Sequence, residues 1–243
     1  MTDARDLAPV TPVSGELTIE ISDAIVEIPP PIAHATEQRW GELLDQNPRH
    51  FDGPILAIES FDAHTNTIHA RREGYKRLAV QPHVETGVRV LSVTGMITAL
   101  DEHGRACVLL GQRSPETRVH GGLWELAPAG TLDAPAPGVS TIGADAARAQ
   151  LRTELLEELG LELDLAPARP IALIVEGPGC SVDIVMRLET GVPIETLGLS
   201  TDAWEYTHVR WLALAEAPVF AGGHAGELIP STFNMLRAIE PCT

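Results

Sequence analysis

The chain has 243 residues, and 17 basic against 34 acidic ones leave a formal net charge of -17. Apolar residues make up 44% and charged residues 21%, ordinary globular usage that excludes a disordered or fibrous chain and suits one large domain or two small ones. So acidic a surface repels phosphate backbones, which argues against a nucleic-acid partner, although converging carboxylates can hold divalent cations.

Cys107, Cys180 and Cys242 are odd in number and far apart, and so give neither a disulfide framework nor a CxxC zinc site. The N-terminus MTDARDLAPV lacks a signal segment. No apolar run approaches the ~20 residues of a membrane span. The expectation is a soluble cytoplasmic protein with no membrane partner and an oligomeric state, homodimer included, left open.

In chain order, residues 1–14 read as a loose, proline-dotted tail, and Leu17 to Ile21 alternate as a strand. Pro29, Pro30 and Pro31 close that strand. ATEQRWGELLDQNP has helical spacing and stops at Asn47-Pro48. PILAIESF and NTIHARR flank a turn at Asp62 to Thr65 and predict a hairpin, followed by a short helix through Tyr75. A soft boundary near Pro82 separates an N-terminal α+β subdomain, 15–82, from a second domain, 83–243. That domain opens with VRVLSVTGMITAL and CVLLGQRS, joined through Gly104. WELAPAG, a Pro/Gly-rich loop and a strong helix follow, then PIALIVEG, SVDIVMRLE and HVRWLAL as strands and a last helix over Ser231 to Ile239. GPGC after Glu176 reads as a hairpin turn and AGGHAG, 221–226, as a mobile loop or lid. Mixed strands and helices predict an α/β (α+β) fold with helices on a mixed sheet.

The strong helix, DAARAQLRTELLEELGLEL from Asp145, carries the most information. Leu151, Leu155 and Leu159 share a stripe that faces the sheet, and Gly160 ends the helix. Glu154, Glu157 and Glu158, at i, i+3 and i+4, crowd another face, with no basic residue there to relieve them. A solvated acidic face is the plain explanation. The alternative is a cradle for a hard cation such as Mg²⁺, which takes several oxygen ligands from a rigid element.

TELLEELGL resembles the second half of the Nudix box, G-x5-E-x7-R-E-U-x-E-E-x-G-U, with Glu154, Leu155, Glu157, Glu158, Gly160 and Leu161 matching. GQRS and WELAPAG resemble the segments before that box, which makes Gly130 its first glycine. Two departures stand out. Gly130 and Glu154 are 24 positions apart, nine more than the pattern, so that Asp145 takes the place of its first glutamate. Thr153 stands where the box has an arginine thought to orient the catalytic carboxylates. RWGELLDQNPRHFDG and GYKR, through Trp40, Asn47, Pro48, Phe51, Gly53 and Tyr75, are also similar to eukaryotic Nudix hydrolases of UDP-sugars.

The resemblance implies a Nudix-like α/β/α sandwich and hydrolysis of the diphosphate of a small nucleotide substrate. A UDP-sugar is the first expectation; ADP-ribose, or an inactive nucleotide-binding module, is the alternative. It implies Mg²⁺, or Mn²⁺, held by Glu154, Glu157, Glu158 and the Gly130 carbonyl. The general base is one of these carboxylates or a glutamate in a later loop, for which Glu205 is the candidate. Arg113 and Arg118 are candidates for phosphate contacts and Trp124 for stacking on a base, against the plainer readings of surface arginines and a core tryptophan.

Overall fold

The computed structural model describes residues 1–48, 50–176, 181–200 and 204–239. It begins with β1 (Thr2–Asp3), β2 (Val10–Pro12), β3 (Thr18–Ser22) and α1 (Pro30–Gln46). The hairpin β4 (Pro54–Asp62) and β5 (Thr67–Gly74) leads into α2 (Tyr75–Ala79). Next come β6 (Val90–Leu100), β7 (Ala106–Arg113), β8 (Trp124–Leu126), β9 (Ala129–Thr131) and β10 (Thr141–Gly143), ahead of α3 (Ala144–Leu159). The chain continues through β11 (Arg169–Glu176), β12 (Ser181–Pro193), β13 (Tyr206–Ala213), α4 (Ala217–Gly223) and α5 (Pro230–Ala238).

Among the described residues these strands form one mixed sheet, ordered β10-β3-β5-β4-β6-β12-β11-β2, with β1, β7, β8, β9 and β13 branching from it. At its centre β6 and β12 run parallel, and β6 is buried along nearly its whole length, as a strand covered on both faces must be. Alternation then decides what covers each face. On β12, Val182, Ile184, Met186 and Leu188 pack with Leu151, Leu155 and Leu159 of α3, while Val185 packs with Ala217, Ala221 and Leu236 of α4 and α5. On β6, Leu91, Val93 and Ile97 join the first cluster and Met96 the second. A sheet with two apolar faces needs helices on both, so the chain folds as an α/β/α sandwich.

Two glycines set α3 in place. A Cβ at Gly95 of β6 would lie 3.0 Å from Leu151 Cδ1 and 2.9 Å from Pro128 Cδ, so the helix and the β8–β9 turn press onto the sheet there. Gly160, at φ 64°, ends α3 in the left-handed conformation, its N–H bonding back to Leu155 and Leu156 carbonyls. Burying each of the three leucines of the stripe stabilises the fold by roughly 1.5–3 kcal/mol.

Three expectations need correction. Residues 1–14 are not a loose tail: β1 pairs with β4, β2 with β11, and Ala4 and Val13 are buried. Their prolines sit in and beside an edge strand, where a missing N–H costs little. Pro30 and Pro31 are not a break but the first turn of α1, where no helical N–H is needed. AGGHAG is not a free loop, because its first three residues end α4. There Ala217 and Ala221 are buried and the Phe220 and His224 rings stack at 4.2 Å. The GPGC turn, with Cys180 and also Cys242, lies outside the described residues.

The extra length between Gly130 and α3 is tied to the N-terminal segment. β10 pairs with β3, Asp133 bridges Ile55, and the Arg72 guanidinium donates to the Ala136 and Val139 carbonyls at 2.9 Å each while its Nε pairs with Asp23 at 2.8 Å. Across the boundary expected near Pro82 the sheet runs on through Ala57 of β4 and Val90 of β6. Among the described residues no helix is long and apolar enough to cross a membrane.

Candidate active site

Glu154 and Glu158 stand one turn apart on α3, on the side that β9 crosses. Gly130 of β9 passes so close that a methyl group there would collide with the Glu154 carboxyl. The Ala129 N–H donates to Glu158 Oε2 at 3.3 Å, and the Gln150 amide, one turn back, donates to Glu154 Oε1 at 2.7 Å. Glu158 is 4% exposed, and among the described residues neither acid has an ion-pair partner. Burial, helped by the negative charges of Glu205, Glu157 and Asp133 and opposed by the Gln150 bond, pushes Glu154 up to about 7. Burial pushes Glu158 well above the carboxylate range, and its hydrogen bond with Glu205 and the charges of Glu205, Glu154 and Glu125 add to this. Glu205 thus stands as a second acid beside Glu158 in the same cavity.

Gly130, Glu154, Glu158, Glu205, Arg113 and Arg118 all line one cavity of about 350 Å³, a size that suits a small ligand. Six of the expected residues thus come together from α3, β7, the loop after it, β9 and the loop before β13. Glu157 and Trp124 do not. Glu157 is exposed, the outermost of the three helix glutamates. Trp124 packs in the apolar cluster under α4 and α5, with the Arg210 guanidinium 5.6 Å from its ring centroid. Asp145 is exposed and pairs with Arg148 at 2.6 Å. Thr153 is exposed too, its hydroxyl donating back to the Ala149 carbonyl at 3.3 Å. Gln150 instead holds a helix carboxylate in place, at the i, i+4 spacing that makes such a contact natural.

The two arginines differ. Arg113 is committed: its Nη1 lies 2.7 Å from Glu125 Oε1, which also accepts from the Tyr206 hydroxyl at 2.9 Å. Gly111 gives the Tyr206 ring room, since a Cβ there would sit 2.6 Å from two ring carbons. Glu125 is fully enclosed, and burial keeps its pKa raised against the pull of Arg113. Arg118 uses one nitrogen on the Gln81 carbonyl at 3.3 Å and keeps the rest of its fork for the cavity.

A second wall contains residues that sequence reasoning missed: His120, Glu176, Ser181 and Asp183. His120, at φ 56°, pairs with Glu176; the contact raises the imidazole, while Glu176 is brought below its ordinary value against the effect of burial. The Ser181 hydroxyl lies 2.9 Å from Glu176 Oε2 and 2.7 Å from Asp183 Oδ1, and Thr94 donates to Asp183 Oδ2 at 2.9 Å. An acid at a buried position of the apolar run SVDIVM was the available signal.

Burial, with the negative charge of Glu176 adding to it, pushes Asp183 up to about 7, while the Ser181 and Thr94 hydroxyls pull the other way. A carboxyl raised in the folded state binds more protons than the unfolded chain, so its contribution is fully present below the unfolded value near 4 and is lost as pH rises to about 7. At about 1.4 kcal/mol per pH unit, this window is worth on the order of 4 kcal/mol. Asp183→Asn should therefore melt progressively higher relative to the parent between pH 4.5 and 7.5. A constant difference across that range would show that Asp183 titrates as an ordinary carboxylate.

No family model matches the chain, and no curated protein does. Solved structures similar to it include a Nudix hydrolase from Alicyclobacillus acidocaldarius, at 13% identity over 63% of this chain and 92% of that one, with a TM-score of 0.47. The Nudix hydrolase RenU of M. smegmatis is 19% identical over 61% of this chain and 84% of its own, at a TM-score of 0.43. The Nudix domain of Shewanella oneidensis NrtR, solved with ADP-ribose, is 16% identical over 61% and 84%, at 0.42.

Proposed function

We propose that this chain is a Nudix pyrophosphohydrolase that uses Mg²⁺ or Mn²⁺ to cleave the diphosphate of a nucleoside diphosphate derivative, a UDP-sugar before ADP-ribose. The observation that carries it is the convergence of buried Glu158 and half-buried Glu154 and Glu205 on one cavity with Gly130, without a compensating cation among the described residues. Among the described residues no three acids, histidines or cysteines are gathered ready for coordination. The donor set nonetheless fits a hard cation: it offers oxygens, and its carboxylates are held out of water at a cost that a divalent ion would offset. Glu154, Glu158 and the Gly130 carbonyl would hold it, with Glu157, whose charge is felt at Glu154, joining from the exposed side of the helix, and bound there it would polarise the phosphorus and lower the pKa of a water.

The chain's own groups supply the rest. Glu205, beside Glu158 in the cavity, takes the proton of the attacking water as general base. Gln150 fixes the Glu154 carboxylate, and the free part of the Arg118 fork meets phosphate oxygens. Residues 15–82 act as a small subdomain that lends Tyr75 and Leu78 to the cavity wall.

Incubation of the purified protein with UDP-glucose or ADP-ribose, with Mg²⁺ and with EDTA, tests the proposal through release of UMP or AMP. Metal-dependent release, faster from UDP-glucose, is expected. Faster release from ADP-ribose would move the substrate assignment, and no release from either would overturn the function.

A further inference from the structure

The cavity has a floor that the acids of α3 do not explain. Asp183, Ser92 and Thr131 sit on the adjacent strands β12, β6 and β9 in direct register, Ser92 opposite Asp183 on one side and Thr131 on the other. Cross-strand partners share a face, so the three form one row, and all three line the cavity. Ser92 is 8% exposed, and among the described residues its hydroxyl has no hydrogen-bond partner. That hydroxyl keeps contact with water through the cavity, so a ligand group there can take the water's place as its partner. Here it faces a space large enough for a ligand.

The chemistry of the row and its surroundings narrows what that ligand is. The two cations beside this wall are already spent, Arg113 on Glu125 and His120 on Glu176. What remains is hydroxyls and carboxylate oxygens, which pair with neutral hydroxyl groups and repel phosphates. The diphosphate therefore belongs with Arg118 and with the cation that the α3 acids would hold, and the floor is left for an uncharged part of the substrate rich in hydroxyls.

We infer that Ser92, Asp183 and Thr131 form a subsite for the hydroxyls of the sugar attached to the distal phosphate. The inference rests on the proposed pyrophosphohydrolase and adds to it the position and the partners of the leaving sugar phosphate. Ser92 gives and accepts a hydrogen bond, and Thr131 does the same at the mouth. The Asp183 side chain, held by Ser181 and Thr94, presents its remaining lone pairs to ring hydroxyls.

The test uses product-like ligands that carry no phosphoanhydride and so are not consumed. In calorimetric titrations with Mg²⁺, the parent should bind glucose 1-phosphate more tightly than methyl phosphate, which has the phosphate but no hydroxyls. One net hydrogen bond corresponds to roughly 3- to 10-fold in affinity. Ser92→Ala should weaken glucose 1-phosphate by that factor and move methyl phosphate by less than about twofold, while the melting temperature holds. Ser92→Val, which also fills the space, should weaken glucose 1-phosphate further. Ribose 5-phosphate as a third ligand distinguishes a hexose from a pentose: the tighter of the two names the ring. Equal binding of glucose 1-phosphate and methyl phosphate by the parent, or a Ser92→Ala affinity that matches the parent's, overturns the subsite. If UDP-glucose is still hydrolysed in either case, the proposed function stands without it. If sugar phosphates are discriminated but no dinucleotide or nucleotide sugar is cleaved, the function falls and the subsite remains as a binding site.

Discussion

Glu158→Gln should lower kcat for the best nucleoside diphosphate substrate by about 10²- to 10⁴-fold, the usual worth of a positioned proton-transferring group, and should raise the melting temperature. Both follow from one fact, that Glu158 is 4% exposed and among the described residues accepts only the Ala129 N–H, meets Glu205 and has no cation beside it. Glutamine keeps the shape and an acceptor for Ala129, and it removes the charge that burial penalises. It also removes one of the anionic oxygens that would hold the metal beside Glu205. A gain in stability with a loss of turnover is the mark of a site kept strained for function. Kinetics at saturating Mg²⁺ together with a thermal melt check it. Parent-like kcat would remove Glu158 from the chemistry, and a lower melting temperature would mean that its carboxylate is structural.

The helix that carries this prediction was legible in the sequence because its evidence is local. The Leu151–Leu155–Leu159 stripe, the glutamates three and four apart and the terminating Gly160 all lie within one stretch of chain, and each became a structural fact. The long strands after Pro82 were legible for the same reason, since alternation needs no partner to be recognised. The far wall of the cavity was not. Thr94 meets Asp183 across 89 positions and Glu125 meets Tyr206 across 81. Such contacts are set by strand register, which depends on the whole sheet and leaves no local period. The short strands β1, β2 and β10 were missed likewise, being two or three residues long and held by their neighbours rather than by their own pattern. Glu157 shows the converse limit. Its spacing placed it on the acidic face, yet only the path of β9 over Glu154 and Glu158 decides which acids are enclosed.

Arg113→Met is the substitution on which sequence and structure disagree most. As a phosphate contact it would affect KM and leave the fold alone. As the partner of Glu125, whose side chain is only 4% exposed, its loss strands a buried carboxylate with the Tyr206 hydroxyl as its remaining donor. Breaking one side of a buried pair costs about 3–5 kcal/mol. For a chain of this size each kcal/mol moves the melting temperature by about 2–4 °C, so a fall of roughly 6–20 °C is expected. Removing the orphan should restore what was lost: Arg113→Met with Glu125→Leu should melt near the parent, because apolar replacement of a whole buried pair is often neutral. The two single variants and the double variant close a thermodynamic cycle whose coupling term reads the pair directly. A melting temperature unchanged by Arg113→Met, with KM raised severalfold, would return this guanidinium to the substrate and leave Glu125 satisfied by Tyr206 alone.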